Sequence, residues 1–234
     1  ADEFIDTRPI PNGLKAYLEN IEAEFDCVGW SIVDYFDLPT DDQGERTVPK
    51  RMKMRDRLPH HSNFKILARG SLANRNVFID AGQHKALIDG EVVSPYLDRQ
   101  LVLAHYPRRS AWQMISKSIM GYLKVIAAGQ SELQQNRSIH YKNIFQAMRD
   151  GPKGLLEPNF VNDTYDDRDL VEDPIPYLGK PLRYTPAGEP LLKAIRVLTA
   201  YAEQLAEHHG MFIDTNEGVR MQAERTTAEW TVLF

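Results

Sequence analysis

The sequence predicts an α/β fold: a mixed sheet flanked by helices, with a helical extension at its C-terminal end. Three observations lead there. Short apolar segments bounded by turn residues recur at 64–68, 76–79 and 101–104, as strands do. Apolar residues repeat at helical spacing at 14–26, after Ser110 and after Pro190. The two kinds of segment interleave, and no internal repeat accompanies them.

In chain order, Leu14, Tyr17, Leu18, Ile21 and Phe25 form one helical stripe after Asn12-Gly13, which predicts a first amphipathic helix over 14–26. Residues 28–36, rich in aromatic and β-branched side chains, predict a strand. From 38 to 59 the chain carries Pro39, Asp41-Asp42, Gly44, Pro49 and many basic residues without periodicity, which predicts a long exposed loop. Ser110 suits the N-cap of a helix whose apolar face is Trp112, Ile115, Ile119, Tyr122, Leu123 and Ile126, with Gly129 at its end. A further helix is expected over 139–149, stopped by Gly151-Pro152. Region 151–187, acidic and dotted with Pro, Gly and Asn, reads as an irregular surface connection. The longest helix follows Pro190, with Leu191, Leu192, Ile195, Leu198, Ala202 and Leu205 on one side and Gly210 as its stop. The expected division is therefore 1–150 against a linker and helical extension over 151–234.

Composition narrows the function classes. Of 234 residues, 42% are hydrophobic and 26% charged, the ordinary proportion for a chain that buries a core. A net charge of −5 provides no basic field for nucleic acid. A single cysteine, Cys27, rules out a disulfide or a multi-thiolate zinc site within the chain. No apolar run reaches the length of a membrane span, and no signal peptide opens the chain, so a cytoplasmic location is expected. The abrupt start on Ala1-Asp2-Glu3-Phe4, without an initiator Met, suggests a chain that begins partway through a longer polypeptide.

Two segments bear chemistry. The opening Ala1-Asp2-Glu3-Phe4-Ile5 is acidic and then apolar. Further on, Leu101-Val102-Leu103-Ala104 runs into His105-Tyr106, then Arg108, Arg109 and Ser110, then a helix with Lys117 and Gly121. The first resembles the end of the Asp-x-Asp-Glu-Phe motif of GT-A glycosyltransferases. The second resembles the His-Tyr … Lys/Arg-Ser … Lys … Gly segment of a bacterial branch similar to glycosyltransferase family 2. Between them, in the family's order, stand Gly29-Trp30 to Phe36, Lys65-Ile66-Leu67-Ala68-Arg69 and Gly82-Gln83-His84. The likeness covers about 1–150, and the order of the motifs is more specific than any one of them. Where the family has Gly-Ser-Ser after Phe, this chain has Asp37-Leu38-Pro39.

The resemblance implies a GT-A-like sheet and a metal-dependent, inverting transfer of a sugar from a nucleoside-diphosphate sugar to a hydroxyl of a glycan or glycolipid, as in polysaccharide biosynthesis. Asp2 and His105 are then the ligands of Mn or Mg, since oxygen-rich sites suit hard cations. Arg108, Arg109 and Lys117 balance the diphosphate, whose charge grows as it leaves. His84 contacts donor or acceptor sugar, and Asp80 is the candidate general base, with Asp34 as the second choice. His60-His61 reads as exposed or as a gate to the site. The rival expectation is a non-catalytic module of a larger assembly, in which 151–234 meets a partner protein or a membrane surface.

Overall fold

The computed structural model describes residues 2–21, 24–45, 47–80, 82–127, 139–151, 168–177 and 190–222. The fold is mixed α/β with a mixed sheet. It divides into two compact units, one of Ala1–Ser110 with Pro158–Tyr184 and one of Ala111–Glu157 with Thr185–Phe234. The second unit begins with the helix that follows Ser110, ahead of the expected break at 150.

The first unit is built on β2 (Cys27–Phe36). Val28, Trp30 and Ile32 are buried on one face and Cys27, Val33 and Tyr35 on the other, which explains its nearly continuous apolar sequence. On one side it pairs in parallel with β8 (Tyr96–His105), and β1 (Glu3–Ile5) runs antiparallel beyond β8. On the other side two strands share its length. β4 (His60–Ala68) pairs along Cys27–Ile32, and β3 (Met54–Asp56) pairs at Tyr35–Phe36. β9 (Leu170–Glu172) extends the sheet from β3. A second, three-stranded sheet holds β5 (Val77–Ile79), β6 (Ala86–Ile88) and β7 (Glu91–Val93). The β6–β7 turn is Asp89-Gly90, with φ of 55° and 90°, the left-handed pair that a two-residue hairpin requires.

Helix α1 (Gly13–Glu19) lays Leu14, Tyr17 and Leu18 on the Val28–Trp30–Ile32 face. It ends sooner than the stripe to Phe25 predicts. Asn20 Nδ2 donates to the Ala16 carbonyl at 2.8 Å and takes up one of the helix's last acceptors. The expected loop over 38–59 is partly ordered, with Pro49 in the first turn of α2 (Val48–Arg51) and with Met52 fully buried. Region 151–187 is likewise not wholly irregular, since Asp173 N–H donates to Lys53 O and Arg57 N–H to Asp169 O, both at 2.9 Å.

Ion pairs tie that returning segment down. Arg8 spans Asp6 and Asp173 at 2.6 Å each, and Arg55 Nε reaches Asp173 at 2.6 Å. Hydrogen bonds from Arg8, outweighing partial burial and joined by Arg55, hold the Asp173 carboxyl below the usual carboxylate value. A depressed carboxyl stabilises the fold fully above its unfolded value near 3.8, and that contribution fades as pH falls through the folded value. Asp173→Asn is therefore expected to lower stability by about 2 kcal/mol at neutral pH and by less below pH ~3. Urea titrations at the two pH values check this, and an equal loss at both contradicts it.

The second unit contains α3 (Ala111–Ala127), α4 (Ile139–Asp150) and α5 (Pro190–Thr215), with α3 packed on both others. Gly121 makes the α3–α4 approach possible, because a Cβ there lies 2.3 Å from a ring carbon of Tyr141. Gly121→Val is expected to cost about 2 kcal/mol by overpacking, read as a drop in melting temperature. Helix α5 runs through Gly210 instead of stopping there. The side it buries is Ala194, Leu198, Tyr201 and Leu205, whereas Leu191, Leu192 and Ile195 are exposed. Gly129 lies outside the described residues. Among the described residues, no helix is long and apolar enough to cross a membrane.

Candidate functional site

Parallel strands deliver the ends of β2 and β8 to the same edge of the sheet. The crevice beyond such carboxyl ends is where open α/β sheets bind ligands. Antiparallel β1 and β4 begin at that edge. One row of paired residues therefore crosses it, with Glu3 opposite His105 and His105 opposite Asp34. Cross-strand partners share a face, so these three side chains stand together. Lower on that face the apolar residues are covered by α1.

His105 donates its Nδ1–H to Asp34 Oδ1 at 2.7 Å, with both side chains between one fifth and one quarter exposed (22% and 23%). A carboxylate can only accept, so a proton sits on Nδ1, and in the neutral ring Nε2 has the lone pair. Such a pairing orients a histidine that coordinates a metal or accepts a proton. Asp34 is the one charged residue of β2, and the strand end gives it access to solvent.

Asp34 also has neighbours on its other side. His60, the first residue of β4, brings Nε2 to 3.6 Å from Asp34 Oδ2 and 3.2 Å from Asp56 Oδ2. Asp34, Asp56 and His60 offer three ligand atoms within 4.8 Å of one another. Arg168 Nη1 lies 3.1 Å from Asp56, with its guanidinium 4.7 Å from the centre of the Phe36 ring. Glu3 is paired with Lys65 at 3.2 Å.

The residues singled out from sequence fall in three places. Asp2 lies just before β1, and its carbonyl accepts from Tyr106 N–H at 2.7 Å, so the chain start and the His-Tyr pair meet at the sheet edge. In register it is Glu3, not Asp2, that stands opposite His105. Arg108 and Arg109 follow the strand half-buried, and the Arg109 carbonyl accepts from Arg51 Nη2. Lys117 is a half-buried residue of α3 in the second unit.

Asp80 and His84 belong to the turn between β5 and β6. Asp80 Oδ1 accepts from His84 N–H at 2.7 Å and from Lys85 N–H at 3.3 Å. Burial pushes its carboxyl up, but those backbone donors prevail and hold it below the usual value. His84 donates Nδ1–H to the Phe64 carbonyl at 2.7 Å. Both side chains thus serve the turn. Lys65 links that turn to the sheet edge, because Nζ donates to Gly82 O at 2.7 Å while pairing with Glu3.

Little in the sequence marks Glu3 or Asp56 as a site residue, and His60, expected to be exposed or a gate to the site, has a side chain 41% exposed. The spacing of Asp56 and His60 across Leu58-Pro59 was the available signal, since the turn brings the two side chains together. Comparison with protein families, with curated proteins and with solved structures finds no match to the chain.

Proposed function

We propose that this chain carries the metal-binding and acceptor-side part of a GT-A-like glycosyltransferase, which moves a sugar from a nucleoside-diphosphate sugar to a glycan or glycolipid hydroxyl. The observation that supports it best is the meeting of two distant motifs at one sheet edge. The acidic chain start pairs with the strand that ends in His105, and Asp34 holds that imidazole by its Nδ1–H.

The proposed ligands of the divalent cation are Asp2, whose backbone carbonyl accepts from Tyr106 N–H at the strand end, and His105, whose Nδ1–H is held by Asp34. Mn or Mg held by these residues would neutralise charge on a leaving diphosphate. Arg108 and Arg109 add positive charge after the strand. As general base the geometry favours Asp34 over Asp80, whose carboxylate is committed to backbone donors. Inversion follows from a single in-line displacement, in which the acceptor oxygen bonds to the anomeric carbon as the diphosphate oxygen leaves.

The test is calorimetric titration of the full-length protein with Mn and a nucleoside diphosphate, together with product analysis on a nucleotide sugar. Metal-dependent binding is expected. Binding of equal strength in the presence of a chelator removes the reading.

A second reading, an interaction module, draws on the exposed Leu191, Leu192 and Ile195 of α5. A monomer that takes up no partner under conditions where transfer proceeds disposes of it.

A further inference from the structure

We infer that Asp34, Asp56 and His60 form a second divalent-cation site, on the side of Asp34 that faces away from His105. The inference goes beyond the transferase reading and stands without it, because neither Asp2 nor His105 supplies a ligand.

Three strands bring the ligands together: Asp34 near the end of β2, Asp56 at the end of β3 and His60 at the start of β4. Asp34 turns one oxygen to each neighbour, with Oδ1 accepting from His105 and Oδ2 facing His60. The His60 nitrogen is the telling atom. Nε2 is shut off from solvent and makes no hydrogen bond, although carboxylate oxygens lie at 3.2 and 3.6 Å. A nitrogen so placed is poorly aligned for either carboxylate and lacks water, which costs about 1–3 kcal/mol when left uncompensated.

A cation resolves that arrangement. Ligands about 2.1 Å from a metal stand roughly 3.0 Å apart on an octahedron and roughly 3.4 Å apart on a tetrahedron. The two measured separations lie close to those edges. Two carboxylates with oxygens within 4.8 Å also repel each other without a counter-charge. Arg168 supplies part of that charge from one side, at 3.1 Å from Asp56, and its 36% exposure leaves it room to withdraw.

The donor set decides the class of ion. One imidazole with two carboxylates suits a transition-metal dication such as Zn or Mn better than Ca, which prefers oxygen alone. Three protein ligands leave a coordination position open, as in sites where the metal takes a water or an oxygen of a bound anion.

The experiment is a titration of Co(II) into chelator-treated full-length protein, followed by its visible ligand-field absorption, with Zn as competitor. Wild type is expected to develop the band. His60→Ala and Asp56→Asn are each expected to weaken Co(II) binding at least about tenfold, with unchanged far-UV circular dichroism. His105→Ala is expected to keep the band, which separates this site from the proposed transferase centre. The proposal is overturned if wild type shows no ligand-field band, if His60→Ala binds as wild type does, or if His105→Ala removes the band as well. The nucleoside-diphosphate titration stays informative in each case, because neither His60 nor Asp56 takes part in the proposed nucleotide site.

Discussion

Replacing His105 with alanine is expected to weaken metal-dependent binding of a nucleoside diphosphate at least about 100-fold while leaving the fold intact. The asymmetry follows from position. His105 stands at a strand end outside the three apolar clusters of the core, so truncation spares them. Its Nδ1–H is held by Asp34, and in the neutral ring Nε2 is the nitrogen that can bind metal. Asp34→Ala supplies the companion measurement. Asp34 acts on metal through His105, so it is a positioning residue there, and its loss is expected to weaken Mn binding about tenfold. Supplying excess Mn is expected to recover most of the nucleoside-diphosphate binding in Asp34→Ala but not in His105→Ala, while the transfer rate of Asp34→Ala stays low because the general base is gone. Calorimetry and initial rates measured across Mn concentration check both. Mn-dependent binding in His105→Ala that matches wild type ends the assignment.

The second large effect concerns Asp98, buried to 4% exposure within β8. Its carboxylate accepts from Trp30 Nε1 at 2.7 Å, Tyr17 hydroxyl at 2.9 Å and Gln100 N–H at 2.8 Å. These bonds occur where the register breaks. Trp30 pairs with Asp98, but the next residue, Ser31, pairs with Val102. The chain over 99–101 therefore bulges out, and Asp98 pins the bulge while three donors replace the water it lost. Asp98→Ala leaves an indole N–H, a phenol and a backbone N–H without their acceptor. Each such bond to a charged group contributes about 1.5–3 kcal/mol, offset in part by the desolvation cost that disappears with the charge. The net loss expected is about 3 kcal/mol, read as a lower urea midpoint. Asp98→Asn keeps one acceptor oxygen and is expected to lose about half as much. A change within about 0.5 kcal/mol for the alanine variant contradicts this account.

The same bulge explains why the candidate site was only partly legible. Read forward from Asp98, an unbroken register sets other residues opposite Asp34. Only the three extra residues align Val102 to His105 with Ser31 to Asp34. The apolar alternation that marks β8 carries no sign of that shift. Asp34 was visible as the single charge in an apolar strand, yet its bond to His105 depends on the pairing of strands 71 positions apart. Asp80 and His84 illustrate the converse. Their residue types suited chemistry, and their neighbours in space turned out to be backbone groups, of the turn itself for Asp80 and of β4 for His84. Helix α1 ended early because Asn20 competed for a carbonyl, a local effect that the periodic stripe hides.

Period and composition alone settled the α/β class, the core strands over 28–36, 64–68 and 101–104, and the helices after Ser110 and Pro190, because those patterns arise from each segment's need to bury one face. They also settled which residue types were available for metal or proton chemistry. Register and strand order decided the rest: the row Glu3, His105, Asp34, the approach of His60 to Asp56, and the return of residues 168–177 to the sheet. Those contacts join segments far apart in the chain. Their free energy comes from pairing and burial that exist only once the whole unit has closed.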